Sequence, residues 1–149
     1  MKTLFIFAIC LVCISGYSQN AKVIVPDAVK SKFNALYPNA GKTEWEAEDG
    51  VYEASFKENN LETSVLIVAD GTVAQTEREI TLDKLPSAVR EYIAGQISGK
   101  KITSAEKITN FKGVVTYEVD IDNADYLFDS NGHFLGMDNE EEDDDNDDK

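Results

Sequence analysis

Cysteine is confined to Cys10 and Cys13, and histidine to His133. Both cysteines lie in the N-terminal leader described below, so the chain that follows it has no thiol, no disulfide and no cysteine-ligated metal. A single histidine without a cysteine partner also makes a zinc site implausible. There is no glycine-rich phosphate loop. Basic residues are scarce, 14 against 28 acidic ones. Nucleic acid and anionic lipid are therefore poor partners, because phosphate binding needs clustered lysine and arginine. Beyond the first eighteen residues no apolar run is long enough to span a bilayer.

The N-terminus reads as an export signal. Lys2 supplies a short positive region, residues 4–14 are almost unbroken apolar, and Gly16 and Ser18 stand at the −3 and −1 positions of a cut before Gln19. Residues 1–18 are thus expected to be a removed signal peptide, which places the mature chain in the periplasm or outside the cell. Lipidation is disfavoured, because the residues preceding the cysteines are the bulky Ile9 and Val12 rather than small ones. At the other end, residues 138–149 hold nine carboxylates and one lysine. A run of like charges repels itself and has no apolar surface to bury, so this segment is expected to be a disordered acidic tail. The chain between leader and tail remains acidic in its own right.

Laid against itself, the sequence repeats. Val25-Pro26-Asp27-Ala28-Val29-Lys30 returns as Leu85-Pro86-Ser87-Ala88-Val89-Arg90; Tyr52-Glu53-Ala54-Ser55-Phe56 as Tyr117-Glu118-Val119-Asp120-Ile121; and Val65–Gly71 as Tyr126–Gly132. Each copy opens with a helix that starts at its proline. The first helix carries Val29, Phe33, Leu36 and Tyr37 as an apolar stripe and stops at Pro38; the second carries Val89, Ile93 and Ile97 and stops at Gly99. Strands follow at residues 43–48, 51–57, 61–69 and 72–79, then at 102–111, 115–122 and 133–137, with Asp49-Gly50, Asn59-Asn60, Asp70-Gly71 and Asn131-Gly132 as hairpin turns. The expected fold class is α+β: two tandem helix-plus-four-stranded antiparallel meander repeats, with the helices covering one sheet face and the other face wet. The expected organisation is a short N-terminal segment at 19–24, a first repeat at 25–80, a second at 85–137, and the tail. Each copy is too small for much core, so the two share a continuous sheet or pack edge to edge.

The proline-opened helix with Ala28 and Val29, the Trp45-Glu46 strand, the Tyr52–Phe56 strand and the hairpin at Asp70-Gly71 together resemble the PepSY-like, β-lactamase-inhibitor-like family of secreted bacterial proteins. The second copy keeps Pro86, Ala88, Val89, Tyr117, Glu118 and Gly132 but has no counterpart of Trp45. The resemblance implies the fold of the β-lactamase inhibitor protein, with an open concave sheet face. It does not imply β-lactamase inhibition, since fold does not carry function.

No catalytic constellation emerges, and the chain is read as a non-enzyme. His133 follows a turn and reads as an exposed turn residue, and the carboxylates fall on strand faces that alternation sends to solvent, where their pKa values are expected to stay near normal. Residues 120–125 and 129–132 loosely resemble calcium loops but lack the full spacing, and read as hairpin turns. Trp45 and the other aromatics fall on inward positions and read as core. No cofactor and no metal site is expected. The candidate partner-binding residues are Glu53, Ser55 and Lys57 from the first copy and Thr116, Glu118 and Asp120 from the second, on the wet acidic face. They suit an unknown, basic or polar protein or peptide partner. The alternative is a solubilising or weak divalent-cation-binding envelope protein in which the tail is the working part.

Overall fold

The computed structural model describes residues 23–139. The expected signal peptide (1–18) and most of the expected acidic tail (138–149) lie outside them. Helix α1 (Asp27–Leu36) is followed by strands β1 (Thr43–Glu48), β2 (Val51–Glu58), β3 (Leu61–Val68) and β4 (Val73–Glu79). A 3₁₀ turn (Leu82–Lys84) leads to helix α2 (Ser87–Gln96) and strands β5 (Ile102–Asn110), β6 (Val115–Ile121), β7 (Ala124–Asp129) and β8 (Phe134–Asn139). The eight strands form one antiparallel sheet in sequence order. Of the two packings open to the sequence, the continuous sheet is the one adopted: β4 pairs with β5 from Gln75↔Asn110 to Glu79↔Glu106.

Both helices begin on a proline standing just outside the first helical residue. Pro26 and Pro86 are extended, and their carbonyls accept from the N–H groups of Lys30 and Arg90 at 3.0 and 3.2 Å. The first stripe is narrower than its spacing suggests: Val29 and Phe33 are buried and Tyr37 is partly so, but Leu36 is exposed. The second helix stops at Gln96, short of Gly99, which takes a positive φ in the turn that follows. Tight hairpins need residues that accept positive φ, and Asp49-Gly50, Asn59-Asn60 and Asp122-Asn123 supply them. Strand β8 runs to Asn139, two residues further than the sequence pattern suggests, because Ala124 and Asp125 of β7 still offer a ladder to Asn139 and Asp138.

Alternation along the strands sends one set of side chains toward the helices, where they make two separate clusters. Under α1 lie Val29, Phe33, Ala54, Phe56, Val65 and Ile67. Phe33 meets Trp45 and Phe56 edge-on at 5.2 and 5.4 Å, so Trp45 packs, partly buried, against this cluster, whereas Phe111, expected to be core with the other aromatics, is exposed at the hairpin after β5. Under α2 lie Leu85, Val89, Val119, Ile121, Tyr126 and Phe128, with Tyr92 stacked on Phe134 at 5.0 Å. In each half a hairpin glycine lies against the start of the helix. A Cβ on Gly71 would stand 3.1 Å from the Ala28 carbonyl oxygen, and one on Gly132 would stand 2.8 Å from the Ala88 Cβ. Ala28 and Ala88 are small for the same reason that Gly71 and Gly132 lack side chains.

Two stability predictions follow from this packing. Phe56→Ala and Ile121→Ala should each lose about 2–5 kcal/mol in denaturant melts, the usual range for large core truncations, since both side chains are buried on the helix side. Gly132→Ala should be clearly more damaging than Gly50→Ala. Both glycines have positive φ, but only Gly132 also meets the helix.

Candidate functional site

The sheet face away from the helices carries the polar member of each alternating pair. Glu53, Ser55 and Lys57 project from β2, and Thr116, Glu118 and Asp120 from β6, as alternation predicts. The sheet does not bring the two trios together. Strands β3, β4 and β5 intervene, so the trios stand about 19 Å apart at ~4.8 Å per strand. Lys57 forms an ion pair with Glu62 at 3.2 Å and is exposed.

The intervening strands supply the residues that sequence reasoning missed. Glu77 and Glu79 project from β4 and Glu106 from β5, and they link the trios into one acidic band. The Ser64 hydroxyl and the Gln75 amide donate to the two oxygens of Glu77 at 2.9 and 2.7 Å. Ser55 donates to Glu53 at 3.2 Å. The register then places Glu79 directly opposite Glu106, and Glu106 directly opposite Glu118. Asp120 stands opposite Asp125 in the same way. Side chains so placed are only about 5 Å apart at Cβ, and like charges there oppose each other. One oxygen of Asp120 is buried with no hydrogen-bond partner among the described residues. A signal was available in the sequence: Gln75, Glu77 and Glu79 alternate as cleanly as the β6 trio. What alternation cannot give is which strand lies beside which.

This face is drier than expected. Ser64 and Leu66 are buried on it, Leu66 being flanked across the ladder by Glu53 and Gln75. The carboxyl groups respond. Burial, then the charges of Asp125, Glu106, Glu77 and Asp120, push Glu118 up to about 8. Burial, then Glu77, Glu79, Asp125 and Glu62, push Glu106 up to about 7. Glu53 is raised as well, by burial and then by Glu77. The expectation of near-normal carboxylates is therefore wrong for Glu53, Glu106 and Glu118. A strand read singly puts an acid in water, whereas the sheet sets Glu106 directly beside Glu118 and withdraws both from solvent.

The remaining candidates behave as turn residues. His133 is exposed, and its Nδ1 lies 2.9 Å from Asp129 Oδ2. Asp129 also accepts from the backbone N–H groups of Asn131 and His133 at 2.8 and 2.9 Å. Those hydrogen bonds hold its carboxyl low, at about 2. Asp122 accepts from the Lys101 N–H at 3.0 Å. At residues 129–132 the carboxylate thus closes a turn of the backbone, and at 120–125 it ties the hairpin to the segment leading into β5.

With an eight-stranded meander, two helices on one face and an open acidic face described, the likeness to known proteins can be placed. The family model described as "Putative beta-lactamase-inhibitor-like, PepSY-like" matches the chain twice, over residues 17–75 and 68–136. The chain belongs to this family. Among solved structures, a Bacteroides eggerthii protein called a "putative periplasmic" protein is 22% identical with a TM-score of 0.72, covering 78% of this chain and 90% of its own. A BLIP-like protein of Bacteroides fragilis is 21% identical with a TM-score of 0.66, covering 80% and 90%. At these identities the likeness to the solved structures is one of fold. No curated protein matches the chain. Among the described residues no helix is long and apolar enough to cross a membrane.

The raised carboxyls set a pH dependence of stability. A carboxyl whose pKa is higher folded than unfolded costs nothing while both states are protonated. It destabilises the fold progressively as pH climbs from the unfolded value toward the folded one. For Glu118 that window runs from 4.5 to about 8. Glu118→Gln should therefore stabilise the PepSY-like chain by about 1–3 kcal/mol at pH 9, with the gain vanishing near pH 4.5. Thermal melts of both proteins across that range check it; a constant difference at all pH values would contradict the assignment.

Proposed function

We propose that the mature chain is an exported, non-enzymatic binding module, built from two copies of one helix-plus-four-strand unit, that docks a protein or peptide partner on its open acidic face. The observation that carries this reading is the row Glu79, Glu106 and Glu118, three acids placed directly across from one another on adjacent strands. Holding them together costs stability, and lysine or arginine side chains of a partner would relieve that cost by entering among them. The internal cations nearest in sequence, Arg78 and Lys107, alternate to the opposite face and pair with none of the three acids, although Glu79 accepts from the backbone N–H of Glu62 at 3.0 Å. Docking would extend along the band to Glu53, Ser55 and Lys57 on one side and to Thr116 and Asp120 on the other. Export is supported by the leader pattern ending at Gly16 and Ser18, and by the periplasmic description of the Bacteroides eggerthii relative.

Site-specific photo-cross-linking in the native envelope tests the proposal. A cross-linker at Thr116, on the open face, should capture a partner. One at Glu91, exposed on α2, should not. Raising the salt should weaken the Thr116 adduct, as should the pair Glu106→Gln and Glu118→Gln, whereas removing residues 140–149 should leave it intact. Capture from Glu91 with none from Thr116 would overturn the proposal. Loss of the Thr116 adduct on removing the tail would assign the work to the tail instead.

A further inference from the structure

The seam between β4 and β5 has a second side. Facing the helices, the directly paired residues are Thr76↔Thr109 and Arg78↔Lys107, and β3 adds Thr63 opposite Arg78. These polar positions lie between the two apolar clusters, in a part of the helix-side face that neither cluster claims. They line a cavity of about 200 Å³ together with Tyr37, whose ring packs at 4.6 Å on Phe56. Glu77 contributes to the wall, but its carboxylate is engaged on the other face by Ser64 and Gln75.

Three features of this notch point to a ligand. Thr63 is 3% exposed and its hydroxyl has no hydrogen-bond partner among the described residues. A buried hydroxyl left unmatched costs about 1–3 kcal/mol, and because its oxygen is closed to solvent a ligand reaches it only by opening the floor of the notch. Lys107 is exposed and has no ion-pair partner among the described residues. Arg78 is ion-paired with Glu58, so it fixes the wall but adds little net charge. The site therefore offers one free positive charge and a group of hydroxyl donors. That combination suits a monoanion with two acceptor oxygens; a phosphate dianion would leave a charge unmatched beside Glu58. The space holds about six or seven waters' worth of volume at ~30 Å³ each, enough for a carboxylate with a short stem.

We infer that the notch formed by Thr63, Thr76, Arg78, Lys107 and Thr109 beneath Tyr37 is a carboxylate-binding site on the helix side of the sheet, separate from the acidic docking face. The carboxylate comes either from a free small molecule or from an Asp or Glu side chain of this chain's own segment 140–148.

Titrating the full chain with sodium propionate at pH 7, against sodium chloride at matched ionic strength, tests this by amide NMR. Saturable shifts are expected at Thr63, Thr76, Arg78, Lys107 and Thr109. Lys107→Gln should weaken binding tenfold or more. Thr63→Val, which keeps the shape and removes the hydroxyl, should weaken it several-fold while raising the melting temperature. A full-length variant with Asn or Gln at the acidic positions of 140–148 separates the sources. Several-fold tighter propionate binding in that variant, persisting at high ionic strength where long-range repulsion by the tail is screened, means that the tail normally occupies the notch. Equal binding in both proteins means that a free molecule does. Absence of saturable shifts in both proteins, or shifts that survive Lys107→Gln unchanged, would overturn the site, and either result would leave the open-face proposal standing.

Discussion

The backbone ladder between β4 and β5 is the constraint on which everything else rests. It joins β1–β4 to β5–β8 in one sheet, with one apolar cluster packed on α1 and another on α2. The side chains do not favour this join. On one face it sets Glu79 against Glu106, and on the other Arg78 against Lys107, so like charges oppose each other on both sides of the same ladder. The seam holds because its hydrogen bonds are backbone bonds, and because separating the halves would expose ladder groups along both strands.

That seam makes the two faces of the protein different in kind. The helix side is apolar under each helix and polar between them, since no helix covers the middle strands. The open side is acidic across the seam and continues so on both flanks. Arg78 and Lys107 on the helix side of the seam give a protein with twice as many acidic as basic residues one local basic pair.

The pair of helix-start contacts shows how a short repeat can carry structure. Gly71 lies against the Ala28 backbone carbonyl, and Gly132 against the Ala88 Cβ and the Val89 backbone nitrogen. Each ties the hairpin of the last two strands of a half to the N-terminus of the helix that opens that half. This is why the small residues at those positions stand out when the sequence is laid against itself. The aromatic packing around them is less faithful. Phe33, Trp45 and Phe56 meet under α1, whereas Tyr92, Phe128 and Phe134 meet under α2. A cluster can be refilled by aromatics from other positions provided that the volume under the helix is occupied.

The sequence by itself determined the elements and their faces. Period-2 alternation, turn residues that accept positive φ, and prolines at the helix starts are local effects, so they are legible residue by residue. Phe56 and Ile121 inward, with Glu53 and Glu118 outward, followed from alternation alone. Only the tertiary structure decided which strands became neighbours. That decision made a row of Glu79, Glu106 and Glu118, raised the carboxyls of Glu106 and Glu118, buried Leu66 on the supposedly wet face, and gathered Thr63, Arg78 and Lys107 around one cavity. Electrostatic and solvation effects depend on distances of a few ångströms between residues far apart in the chain, and a single sequence read along its length does not contain those distances.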